Sequence, residues 1–261
     1  MKSKICSSEY VRTVSRGKSW IPAFLSLGFF LAFPVALLLV VGNWKAARYT
    51  PDQLHLLYEG LWKEKLVFTG GAITIVAAIM NSINGFSYVY SRKKVDFYHS
   101  LPVKRSRMFW NRVYTGLLYY LVPYMIMEFF AVCIGAAKGF FSLKLMELAA
   151  RLLLVHLLLY FLFYFSIVLV FCVTGNFLMG VLCLAGMQLY GPALGILMSF
   201  CAYGFFDTFS SNYPYGIFKA LEDYASPITL TAAFWQKYEA GQGAALAAVL
   251  FVLTLIFTAV S

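Results

Sequence analysis

Charge is scarce in this chain. Only 12% of its 261 residues are charged and 61% are hydrophobic, whereas ordinary soluble domains run near a quarter charged and about half apolar. A soluble fold has nowhere to put that much apolar surface, so the composition excludes one. Histidine is scarce as well. His55, His99 and His156 are the whole supply, which excludes the helix-spaced ligand set of an intramembrane metalloprotease. The five cysteines, Cys6, Cys133, Cys172, Cys183 and Cys201, stand singly without disulfide or metal spacing, and read as small hydrophobes packed among helices.

A phosphate-binding loop is also missing. Gly17-Lys18-Ser19 has the ending of one, but backbone amides wrap phosphate only with a glycine five residues before the Gly-Lys pair. Position 12 is Arg12. The chain is therefore expected to carry no ATPase, no catalytic residues, no metal and no cofactor of its own. It has no internal repeat or low-complexity tract, and residues 1–261 read as one transmembrane domain. The first apolar run starts near Trp20 and is too long for a cleavable signal, so none is expected.

What the chain does have is long apolar runs. A helix needs about 20 apolar residues to cross a bilayer of roughly 30 Å. The runs are continuous and do not alternate with period two, which points to an all-α polytopic membrane protein and away from a β-barrel. Six transmembrane helices are expected: Trp20 to Gly42, about Leu66 to Tyr90, Met108 to Ala137, Leu148 to Val173, Phe177 to Phe206, and Ala244 to Ser261. Pro22 and Pro34 interrupt the first, Pro123 the third and Pro192 the fifth. The few residues around Thr174-Gly175-Asn176 force an antiparallel hairpin.

Basic flanks stay in the cytoplasm. Lys2, Lys4, Arg12, Arg16 and Lys18, with Arg92, Lys93, Lys94, Lys104, Arg105, Arg107 and Arg112, make twelve bases against the two acids Glu9 and Asp96. The first, third and fifth connections, with Arg151 just inside the fourth span, hold nine bases against eight acids. Both termini are therefore expected on the cytoplasmic side of a cell membrane. The net charge of +10 fits anionic lipid; nucleic acid is not an expected partner, because a folded basic domain is missing. Residues 9–19 read as an N-terminal interfacial helix with Tyr10 and Trp20 at the headgroups, or as a basic tail. The fifth connection, Asp207 to Gly243, reads as a solvated outer loop, with a lid or partner surface as the alternative.

Ionisable groups inside a span are functional candidates. Glu128 and His156 suit a proton relay or a substrate contact; alternatively both reach headgroups or water at the outer ends of their helices. Asn81, Asn84 and Ser87 fall three apart and share a side of the second span, either as interhelical glue or as the lining of a path. Gly135–Gly139 and Gly191–Gly195 have the spacing of close helix packing.

The run Ser91 to Arg107, SRKKVDFYHSLPVKRSR, is the one soluble-looking piece between apolar spans. A helix over Lys94 to Leu101 puts Phe97 and Leu101 on one face, with Asp96 and Ser100 on a neighbouring polar side. Pro102 stops it. Such a helix presents Phe97 and Tyr98 to a groove in a soluble partner, or sets them among the headgroups. Residues 95–105, VDFYHSLPVKR, resemble the cytosolic loop after the second span in permease subunits of ABC transporters of the type-2 (exporter) class, most of all the Gram-positive group with a DFYHSLP motif.

The resemblance implies that the loop is a cytosolic coupling helix docking on a separate ATP-binding subunit, with Asp96, Phe97, Tyr98, His99, Ser100, Leu101 and Pro102 as docking residues. It also implies a second permease subunit, homo- or heterodimeric, to complete the pathway. Members of that family run on past the sixth span, so a longer C-terminus than Ser261 is expected. Two rival functions remain: a non-transporting scaffold or sensor that recruits a cytosolic partner, and an ion-coupled transporter using Glu128 and His156.

Overall fold

The computed structural model describes residues 20–44, 50–100, 104–205, 226–231, 233 and 252, and every regular element among them is helical. The chain divides into two compact units, Met1–Tyr164 and Phe165–Ser261, with the boundary inside a helix.

In the first unit, α1 spans Trp20–Gly42 and passes through a π turn at Leu31–Val35. Pro34 lies in that turn. Proline lacks an amide and crowds the carbonyl one turn back, and a π turn is one of the few ways a helix absorbs this. Pro22 sits in the first turn, where amides have no intrahelical partner. Helix α2, Pro51–Lys63, is short and starts from a capping box. Gln53 N donates to Thr50 Oγ1 (3.4 Å) and Thr50 N to Gln53 Oε1 (3.1 Å), which satisfies two orphan amides at once.

Helix α3, Lys65–Phe86, tightens into a 3-10 turn at Ser87–Tyr90, and the short helix α4, Arg92–Ser100, follows. Helix α5, Arg105–Ala137, ends at Gly139, whose φ of 82° is the left-handed geometry glycine favours. Phe140 N donates to Gly135 O (2.9 Å) and Gly139 N to Ala136 O (3.1 Å), closing the helix with a Schellman pair. Helix α6, Leu143–Val173, begins where Ser142 Oγ accepts from Leu145 N (3.1 Å). The start near Leu148 expected from the apolar run is thus five residues late, because the cap and not the hydropathy sets the end.

In the second unit the chain turns at Thr174–Asn176 into α7, Phe177–Phe205, with Pro192 inside it, and positions 227–231 are helical. Among the described residues, five stretches are long and apolar enough to cross a membrane: Trp20–Gly42, Asp52–Tyr90, Arg105–Ala137, Leu143–Val173 and Phe177–Ala202. The described residues form helices and no strand, as expected of an all-α chain. The sixth expected span and the interfacial segment 9–19 lie outside the described residues.

The first unit is built on α1, whose Ile21, Leu25, Phe29, Phe33 and Leu37 are buried. Phe29 meets Tyr120 and Tyr124 edge-on, with ring centroids 5.8 and 5.2 Å away, and Phe33 meets Tyr124 at 5.2 Å. Leu39, Phe68, Leu118, Phe129, Leu154, Leu197 and Phe200 are exposed. Apolar surface on this scale suits acyl chains. In lipid, packing and interhelical hydrogen bonds hold helices together.

Candidate functional site

Helix α4 is joined to α3 by very little slack. Ser91 N donates to Tyr88 O (3.0 Å), closing the 3-10 turn, and Ser91 O accepts from Lys94 N and Val95 N (both 2.9 Å), opening α4. Ser91 itself is the one extended residue between them (φ −114°, ψ 107°). Arg92, Lys93, Lys94, Asp96, Phe97 and Ser100 are exposed and Val95 is half-buried. Phe97 is 58% exposed, and its carbonyl accepts from Ser100 Oγ (2.8 Å). Helix α4 begins at Arg92, two residues before the expected Lys94. Tyr98 and His99 belong to the helix without their side chains being described; Leu101 and Pro102 lie outside the described residues, and with them the expected Phe97–Leu101 face.

Arg112 stands behind this junction. It is only 3% exposed although it ends in a guanidinium. Its Nη1 donates to Gly85 O at the end of α3, and its Cζ lies 3.7 Å from the centroid of the Tyr88 ring. A buried guanidinium needs such partners, and these tie α5 to the 3-10 turn. Sequence reasoning missed this residue by counting it with the basic flank. The available signal was a cation two turns inside an apolar helix. Asn81, Asn84, Gly85, Arg112, Thr115, Gly116 and Tyr119 enclose a cavity of about 10 Å³, about one water molecule in size.

From there a polar seam runs through α3, α5 and α6. Asn81 Nδ2 donates to Gly116 O (3.1 Å) and Tyr160 Oη (3.3 Å). Thr74 Oγ1 lies 3.3 Å from Tyr120 Oη, and the Tyr120 and Tyr160 rings stack at 4.2 Å. Tyr124 Oη is 2.8 Å from His156 Nδ1, and His156 Nε2 is 3.0 Å from Val67 O. His156 is fully buried and Glu128 is 7% exposed, so the reading in which both reach headgroups or water does not hold. Glu128 Oε1 has no hydrogen-bond partner among the described residues. Of the residues expected to share one side of the second span, Asn81 and Asn84 face the small cavity, while Ser87 sits half-buried in the 3-10 turn.

No family model, curated protein or solved structure matches the chain.

At the opposite end of the helices from α4, α2 docks on the α5–α6 turn. Phe140 stacks on Tyr58 with centroids 4.7 Å apart and meets His55 and Trp44 edge-on, and Lys144 Nζ lies 2.6 Å from Glu59 Oε2. Between α1 and α2 opens a cleft of about 710 Å³ with Trp44, Leu56 and Leu57 on its walls and Gln53, Glu64 and Lys65 as its polar groups. In the second unit, Ser226 Oγ and Thr229 Oγ1 pair at 3.0 Å and press on Gly191, where an added Cβ would meet them at 2.7 and 3.0 Å. Ser226, Leu230, Thr231 and Ala233 are buried, so this part of the fifth connection packs against the middle of α7 and is not solvated. Among the described residues no three His, Cys, Asp or Glu side chains gather as a metal site.

Proposed function

We propose that the chain is the membrane-spanning permease subunit of an ATP-driven ABC transporter of the exporter class. In this reading it sits in the cell membrane with both termini cytoplasmic, and a second permease subunit completes the pathway. Helix α4 docks on a separate ATP-binding subunit, which hydrolyses ATP. Asp96, Phe97, Tyr98, His99, Ser100, Leu101 and Pro102 form the docking surface. The observation that carries the reading is Phe97: a large aromatic side chain held 58% exposed on a short charged helix, which the single extended residue Ser91 joins to the 3-10 turn at the end of α3. Exposed aromatic anchors of this kind are what a soluble partner's groove recognises. The likeness of VDFYHSLPVKR to the coupling segment of that family adds the identity of the partner.

Purification from native membranes in mild detergent, followed by mass spectrometry, tests this. An ATP-binding subunit is expected to accompany the wild-type chain and to be lost with Phe97→Asp combined with Leu101→Asp. A complex that survives the double change overturns the docking surface. Glu128 supports a second reading, an ion-coupled transporter, because a buried carboxyl without a hydrogen-bond partner at Oε1 is what a proton carrier requires. Transport indifferent to Glu128→Gln removes that reading.

A further inference from the structure

We infer that Arg112 is a two-station latch that couples the motion of helix α4 to helix α5; this rests on the reading of α4 as the docking helix. The first station is the one occupied: the Gly85 carbonyl and the Tyr88 ring. The second is the side-chain oxygen of Asn81. Its orientation follows from chemistry. Asn81 Nδ2 donates to Gly116 O, which can only accept, so Oδ1 points elsewhere. That oxygen is buried and has no hydrogen-bond partner among the described residues, although Asn81 is 2% exposed.

Asn81 and Gly85 are one turn apart on α3, a rise of about 6 Å, within the swing of an arginine side chain. Both line the same small cavity, together with Arg112 itself; its room for about one water is less than a guanidinium needs, so the transfer between stations goes with a shift of the side chains around it. A desolvated cation leaves one set of partners only where another awaits it, and the Asn81 oxygen is that second acceptor. At the first station the guanidinium holds the 3-10 turn, and through Ser91 the whole of α4, against α5. At the second station Tyr88 is released and α4 moves independently of α5. Two discrete arrangements of one side chain are the kind of element through which a surface displacement biases a helix bundle.

The test uses the full-length chain in phosphatidylcholine–phosphatidylglycerol liposomes, with its native cysteines replaced by alanine. Spin labels at Lys93→Cys and Leu118→Cys report the distance between α4 and α5. Asn81→Asp, which places a negative charge at the second station, is expected to move at least half of the distribution to a longer distance. Tyr88→Leu, which takes the ring from the first station and leaves only the Gly85 carbonyl there, is expected to do the same. Asn81→Leu is expected to keep the wild-type distance. The latch is overturned if Asn81→Asp and Tyr88→Leu both retain the wild-type distribution, or if Asn81→Leu lengthens it as Asn81→Asp does. No ATP-binding subunit enters this measurement, so a lost latch and a lost docking partner are separate outcomes.

Discussion

Tyr124 and His156 form a hydrogen-bonded pair, Oη to Nδ1 at 2.8 Å, buried between α5 and α6. The other ring nitrogen faces Val67 O at 3.0 Å. A carbonyl only accepts, so Nε2 carries the proton and donates to it, and in a neutral ring Nδ1 accepts the hydrogen bond that the Tyr124 hydroxyl donates. Three helices, α3, α5 and α6, meet in that one chain of bonds.

Removing the hydroxyl with Tyr124→Phe is expected to cost about 0.6–1.7 kcal/mol, the range for interhelical hydrogen bonds in membranes. His156→Ala also leaves a cavity among Phe33, Tyr124 and Val67, and is expected to cost about 2–4 kcal/mol. Thermal unfolding in detergent, followed by size-exclusion fluorescence, ranks the two. Equal midpoints would mean that the ring carries no packing role.

Two glycines should respond in opposite directions to alanine. A Cβ at Gly70 would lie 2.6 Å from His156 Cε1 and 2.9 Å from Phe33 Cζ, both on buried rings with no room to retreat. Gly70→Ala is therefore expected to destabilise by about 1–3 kcal/mol. A Cβ at Gly60 in α2 meets nothing within 4 Å, so Gly60→Ala is expected to stabilise by about 0.5–1 kcal/mol through helix propensity. The same unfolding assay reads both.

Glu128 is expected to be a stability cost. Replacing a buried, unsatisfied polar group by an apolar one of similar size relieves its desolvation. Glu128→Leu is expected to raise the melting midpoint, by the equivalent of about 1–3 kcal/mol. A lower midpoint would show that the carboxyl is satisfied in the membrane.

Phe140→Ala removes the two ring contacts that hold α2, to His55 and Tyr58, and a third to Trp44 beyond the end of α1, each worth about 0.5–1.5 kcal/mol. Protease cleavage within residues 50–63 of the variant is expected to accelerate while the rest of the chain stays intact. Cleavage at the wild-type rate would mean that the Lys144–Glu59 ion pair and the buried Trp62 suffice.

Much of this fold was legible because a membrane span needs a long unbroken apolar run, and such runs stand out in the sequence. The start of α1 at Trp20 and the end of α5 at Ala137 agree with the structure. Where hydropathy and capping disagree, as at Ser142, the cap prevails. Helix α2 was passed over as part of a connection, although Thr50-Pro51 followed by Gln53 is a readable capping signature. The candidate site was only half legible. Asn81, Glu128 and His156 stand out because polar groups are rare in apolar runs. Tyr120, Tyr124 and Tyr160 do not, since a tyrosine reads like any aromatic until the facing helix shows what its hydroxyl meets.

The π turn in α1 sets the gearing of that helix. Ile21, Leu25, Phe29, Phe33 and Leu37 recur every four residues, whereas an α-helix repeats every 3.6. A stride of four therefore rotates by about 40° per step, and four steps would carry Leu37 some 160° around from Ile21. The wider winding at Leu31–Val35 takes back part of that drift, so one side of the helix stays against its neighbours past the proline. Straightening this turn would aim everything beyond Val35 in a new direction, and the end of α1 would offer its neighbours the wrong teeth.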